Sequence, residues 1–206
     1  MDLQVPEGPI RSLKDFLLHI FTVTIGILIA LGLEQAVEAH HRAHLASDAV
    51  DGFRRELTSN MVDMDEVLAE NPKVQSEIAD WIANLSAANP HKMEKYPGVH
   101  FNILPTASWD TAMATQALSE LSYEQAHLYA TAYDSLRVFI EVERDGLANW
   151  QNVKSFGLDP AEMTSDQRRV LIERLRRYES DLGVLESAGK TTREACQAAL
   201  GGKPNA

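Results

Sequence analysis

The pattern of apolar and polar positions divides the chain near its start. Between Asp15 and Glu34 no side chain carries a formal charge, and the run from Phe16 to Leu33 reads FLLHIFTVTIGILIALGL. As a helix this run is about 27 Å long, close to the thickness of a bilayer's hydrocarbon core. Beyond it the pattern becomes amphipathic. Leu45, Ala49, Phe53, Leu57, Met61, Met64 and Leu68 recur three or four apart, which predicts a helix that continues the apolar run outward and stops before Asn71 and Pro72. A second helix over about 72–88 carries Val74, Ile78, Trp81, Ile82 and Leu85 on one side. Residues 89–107 lose the period, broken by Pro90, Pro97, Gly98 and Pro105, although Val99, Phe101 and Ile103 alternate as in a short extended piece. Such a segment offers a surface to a partner or crosses the end of a bundle.

Helices resume at Ser108, over about 108–119, 122–156, 165–188 and 192–200. Ser122 with Gln125, Thr164 with Gln167 and Thr191 with Glu194 have capping-box spacing, and Asp159–Pro160 reads as a further start. Gly157 and Gly189 are stop signals. The predicted fold class is all-α, with one N-terminal transmembrane helix continuing into a soluble antiparallel helical bundle. The predicted divisions are a short tail at 1–15, the transmembrane helix at 16–36, a helical extramembrane domain at 37–200 and a flexible tail at 201–206.

Two other readings compete for the apolar run. A buried core helix that is apolar on all sides is unusual in a body this small. A cleaved signal peptide finds a loose cleavage site at Val37-Glu38-Ala39, but Glu34 and Glu38 crowd it and the stretch before the run is long. The spanning helix is therefore favoured. Within it Gly26 with Ala30, and Gly32 with Ala36, share faces on which a second membrane helix can approach closely. Thr22 and Thr24 can return their hydroxyls to the backbone, and His19 lies near enough to one end to reach headgroups. Arg11 and Lys14 flank the first end and only Arg42 lies within about 15 residues beyond the second, which favours a cytoplasmic N-terminus and an extracytoplasmic body.

Charge narrows the partners. The chain carries a net charge of −11, and positions 1–33 contribute only −1 of it, so nearly all of the negative charge lies on the body. A body this acidic is repelled by phosphate backbones, so nucleic acid is excluded as a partner. Cys196 is the only cysteine, which rules out an internal disulfide and any cysteine-rich zinc site.

Candidate chemistry is sparse. Glu34, Glu38 and His41 share one helix face, His40 and His44 form a second pair four apart, and Glu124 with His127 repeats the E-x-x-H spacing of Glu38 with His41. Two such motifs on facing helices occur in carboxylate-bridged di-metal bundles, whereas the plainer reading is interfacial polar residues and a helix-surface histidine. No glycine-rich phosphate loop, G-x-S-x-G, H-E-x-x-H or C-x-x-C is present. Ser108 before Trp109-Asp110 reads as a helix cap, and Trp81, Trp109, Trp150, Tyr123, Tyr129 and Tyr133 read as bundle filling. No catalytic residue, cofactor or metal ligand is assigned.

Two stretches carry a resemblance. IGILIALGLEQAVEAHHRAHLASDAVDGFRREL, through Ile25, Gly26, Leu28 to Leu31, Glu38, Glu56 and Leu57, resembles the N-terminal signature of uncharacterised bacterial single-pass membrane-anchored helical proteins. SWDTAMATQALSELSYEQAHLYATAY, through Trp109, Ala112, Leu118, Leu121, Leu128 and Tyr133, is similar to that group's W-x-x-A helical body. Ala36-Val37 stand where the group usually has a tryptophan. The resemblance implies a single-pass protein of the bacterial inner membrane and carries no known activity. The expectation is a non-enzymatic accessory or structural subunit in contact with lipid and with partner subunits of a larger membrane complex, or with copies of itself. The alternatives are an extracytoplasmic ligand-sensing module and a metal-dependent enzyme using the two E-x-x-H pairs.

Overall fold

The structure, a computed structural model, describes residues 13–201. Within them the chain is all-helical, with no strand. Helix α1 runs from Leu13 to Ser86, α2 from Ala107 to Ala114, α3 from Tyr123 to Lys154 and α4 from Ser165 to Gly201. Short 3₁₀ turns at Ala117–Glu120 and Pro160–Glu162 lie in the connections. The chain divides between Ser47 and Asp48 into two compact units.

In the first unit α1 presents its apolar run without cover. Every described side chain from Phe16 to Leu33 is exposed.

The second unit is built on a repeat of seven. On α1 the buried positions Phe53, Leu57, Asn60, Met64, Val67, Asn71, Val74, Ile78, Trp81 and Leu85 are spaced alternately four and three apart, with Asn84 buried beside the last of them. On α4 they are Leu171, Leu175, Tyr178, Leu182, Leu185, Gly189, Thr192, Cys196 and Ala199, with the same spacing. On α3 Tyr129, Ala132, Leu136, Phe139 and Glu143 alternate three and four apart, and Val153 falls in the same register. A period of 3.5 residues keeps one seam of each helix facing its neighbours, as in a coiled coil.

Contacts fix the directions. At one end the Phe53 ring meets those of Tyr129 and Tyr133, with centroids 4.8 and 5.7 Å apart. At the other, Val74, Ile78, Trp81 and Leu85 cluster with Val153 of α3 and with Leu171, Leu175 and Tyr178 of α4. This part of α1 and α3 therefore run the same way, and α4 runs against both. Asp65 of α1 pairs with Arg193 of α4, consistent with that opposition.

Several boundaries differ from those predicted. Pro72 does not end the first helix; α1 passes through it to Ser86 and absorbs the predicted second helix. Pro72 is exposed, and packing of the flanking Val67, Asn71, Val74 and Ile78 outweighs the missing donor. The predicted break near Gly189 is also absent, because Gly189 lies buried inside α4 as a close-packing position. An added Cβ there would meet Leu68 Cδ1 at 2.5 Å and Phe139 Cε2 at 3.3 Å. Thr191 accordingly caps nothing; its hydroxyl donates back to the Ser187 carbonyl at 3.2 Å. The predicted 108–119 helix is instead α2 plus a 3₁₀ turn, parted by Gln116 in the left-handed region at φ 60°. Met61 and Leu68 of the predicted stripe are half-buried, and Tyr123 is 86% exposed, so it fills no core. The capping boxes at Ser122 and Thr164 form, and Asp159 caps the 3₁₀ turn that Pro160 opens. Residues 1–12 of the predicted N-terminal tail and 202–206 of the C-terminal one lie outside the described residues.

Candidate functional site

The first candidate surface is the apolar run. Among the described residues one helix is long and apolar enough to cross a membrane, and none of its most apolar 18-residue window is buried within the chain. Gly26, Ala30, Gly32 and Ala36 are all exposed, and nothing lies within 4 Å of a Cβ built on Gly26 or Gly32. The structure thus brings these predicted packing residues against no described part of the chain. The Thr22 hydroxyl donates to the Leu18 carbonyl at 2.9 Å, which satisfies it without a partner helix.

The second is the connection from α1 to α2. Because α1 and α3 are parallel here, residues 87–106 must travel back along the bundle, and side chains tie them down throughout. The Asn84 amide clasps the backbone of His91, donating to its carbonyl at 2.8 Å and accepting from its N–H at 3.0 Å. Trp81 Nε1 donates to the Lys95 carbonyl at 3.0 Å, while its ring stacks on Tyr96 at 5.7 Å. Trp150 of α3 donates to the Pro97 carbonyl at 2.8 Å, and Tyr178 of α4 to that of Gly98 at 2.9 Å. The Gly98 N–H donates to Glu77 at 2.7 Å, and Lys95 donates to the same carboxylate at 2.6 Å. These donors hold the Glu77 pKa below its ordinary value, Lys95 contributing most.

Further along, Asn102 donates its N–H to Glu143 of α3 and its amide to the Asp63 carbonyl, both at 3.1 Å. Asn60 donates to the Pro105 carbonyl at 2.8 Å. Glu56 then receives the Ser108 N–H at 3.0 Å and the Tyr133 hydroxyl at 2.7 Å. The ties follow α1 backwards, from Asn84 to Trp81, Glu77, Asp63, Asn60 and Glu56. This segment is a strap, and it runs along the bundle instead of crossing its end.

Glu143 is a buried carboxylate under the strap. It is 9% exposed, and burial raises its pKa against the lowering effect of the Asn102 N–H. The same desolvation, with the Glu56 carboxylate beside it, holds the Tyr133 phenol protonated. Cys196 is buried in the bundle and its thiol is pushed up to about 11, which leaves little thiolate at neutral pH.

The histidine and glutamate candidates stay apart from such chemistry. Glu34, Glu38, His40, His41, His44, Glu124 and His127 are all exposed. Among the described residues no three or more histidine, cysteine, aspartate or glutamate side chains group to hold a metal ion. His40 and His44 meet edge to face at 4.6 Å, and His127 stacks on Tyr123 at 6.0 Å. Ser108 lies in the first turn of α2 and donates its N–H to Glu56, instead of capping the helix.

The strap's anchors were not singled out in the sequence. One signal for them was available: Asn60 and Glu143 occupy apolar positions of the seven-residue repeat, where a polar side chain needs a built partner. Three residues that carry the resemblance do converge, with Glu56 hydrogen-bonded to Tyr133 and the Trp109 and Tyr133 rings 5.2 Å apart.

Fold and surfaces together define an all-α chain in which one exposed apolar helix continues into a strapped helical bundle. Comparison with protein-family models, with curated proteins and with solved structures finds no match.

Proposed function

We propose that this chain is a non-enzymatic single-pass protein of the bacterial inner membrane. Its N-terminus is cytoplasmic, its bundle is extracytoplasmic, and it serves as an accessory or structural subunit of a larger membrane complex. The observation that carries the reading is the bare apolar surface of α1 from Phe16 to Leu33. A soluble chain would leave that surface in water, at a cost of roughly 25 cal/mol for each Å². The flanking basic residues support the orientation. The acidic bundle and the tied-down strap support a fixed protein-binding surface over a nucleic-acid site.

The test is made on the full chain in native membranes. It is expected to resist extraction at high pH with its N-terminal residues still attached, and to leave mild detergent in a stoichiometric complex. Release by the high-pH wash removes the anchor, and a lone monomer in native gels removes the subunit. A cysteine introduced at the exposed Ser180 should react with an impermeant maleimide added from outside; protection there until lysis reverses the orientation.

A further inference from the structure

The strap between Pro97 and Pro105 is extended by necessity. From Phe101 to Leu104 its side chains alternate, with Asn102 and Leu104 turned inward and Phe101 and Ile103 outward, 51% and 87% exposed. Its backbone alternates too. In an extended chain successive N–H groups point to opposite edges. One edge is taken, since the Asn102 N–H donates to Glu143 of α3. By the same alternation the amides of Phe101 and Ile103 belong to the opposite edge, and they make no hydrogen bond among the described residues. An open edge of this kind is a template for an added strand.

The space beside that edge has a chemical character. A groove runs between the strap and α1, lined by Val99 and Phe101 on one wall and by Glu66, Ala69 and Glu70 on the other. Glu70 is shared with Lys73 at 3.1 Å and with His100 at 3.5 Å, while Glu66 is exposed and has no cationic partner among the described residues. Asp63 continues the acidic row toward exposed Val62. An occupant must therefore bring backbone donors and acceptors, apolar side chains for Phe101 and Ile103, and positive charge for Glu66.

We propose that this groove binds an extended basic segment of a partner protein by strand addition, with alternating aliphatic and lysine or arginine side chains. A second copy of this chain is a poor occupant, because its net charge of −11 opposes approach to an acidic groove. The proposal rests on the subunit reading above and names the surface through which the partner is held.

The test uses the full chain in mild detergent and a short fluorescent peptide of alternating lysine and valine. Saturable binding is expected, weakening with salt, together with slowed hydrogen exchange at the Phe101 and Ile103 amides. Glu66→Gln should weaken binding about two- to fivefold, as loss of an exposed ion pair does. Ile103→Ser should weaken it about tenfold or more through lost apolar contact. Helix content by circular dichroism should stay unchanged in both, and Glu186→Gln on α4 should bind as the parent does. A glutamate–valine peptide, or the lysine peptide N-methylated at alternate residues, should not bind. Equal binding of either control peptide overturns the proposal, as do absence of binding and indifference to Ile103→Ser. Dimerisation of the chain that Ile103→Ser abolishes also overturns it, in favour of a second copy. If the native complex persists while the peptide fails, the groove assignment falls and the subunit reading stands. If the peptide docks on a chain that purifies alone, the groove stands and the subunit reading falls.

Discussion

Two glycines on α4 separate intrinsic helix preference from packing. Gly183 is exposed with open space around it, so Gly183→Ala should gain the propensity difference of about 1 kcal/mol. Gly189 sits against Leu68 and the fully buried Phe139, and alanine there must displace both. Overpacking costs about 1–3 kcal/mol, enough to cancel the same gain or reverse it. Denaturant titration of the two variants, followed by tryptophan fluorescence, should place Gly189→Ala at least about 1 kcal/mol below Gly183→Ala. Glu143 gives a second residue-scale expectation. Burial raises its pKa above the ordinary 4.5, so the folded chain holds this proton more tightly than the unfolded one. The carboxylate's penalty is then absent below the unfolded value, grows as pH rises above it and is complete beyond the folded value. Glu143→Gln keeps an oxygen for the Asn102 N–H and removes the charge. It should stabilise the protein at neutral pH, and its advantage should shrink toward zero as pH falls to about 4.5; an advantage that stays constant with pH would contradict the assignment.

At the scale of the helix, Pro72 is the informative position. It leaves the Leu68 carbonyl without its intrahelical donor, and interior proline costs about 3 kcal/mol relative to alanine. Packing on both sides carries α1 across the defect. Pro72→Ala restores the donor at an exposed site and should raise stability by about 1–3 kcal/mol in the same titration, with no change in helix boundaries. The contrast between Pro72 and Ser122 shows what a single sequence reveals. The cap at Ser122, the uncharged run from Phe16 and the apolar spacing of Phe53, Leu57 and Met64 are local signals, read close to where they act. The course of α1 through Pro72 and of α4 through Gly189 depends on neighbours from other helices, distant along the chain, and breaker residues read locally point to breaks. The strap was legible only as an irregular, proline-punctuated stretch. Its ties come from polar side chains on three different helices, and nothing in the local sequence pairs Trp150 with Pro97 or Tyr178 with Gly98.

For the bundle as a whole, the length of the strap follows from chain geometry. Two widely separated ties join Trp81 to Lys95 and Glu56 to Ser108. Helical rise from Glu56 to Trp81 puts the two α1 anchors about 37 Å apart, and both side chains lean the same way along the helix, so their lean roughly cancels. The chain from Lys95 to Ser108, fully extended, reaches at most about 43–47 Å, so little of it is slack. Removing Val99 to Phe101 shortens that reach to about 33–36 Å, below the required span. One end must then let go, leaving a donor such as Trp81 Nε1 or the Ser108 N–H without its partner, at about 1–3 kcal/mol for each group. Inserting Gly-Ser-Gly after Ile103 lengthens an already long connection only slightly and should cost well under about 0.6 kcal/mol, the value for doubling a loop. The expected result is a deletion variant destabilised by about 2 kcal/mol or more beside an insertion variant that unfolds nearly as the parent does. Equal behaviour of the two would mean that the strap is slack and that its edge is not held straight enough to receive a strand.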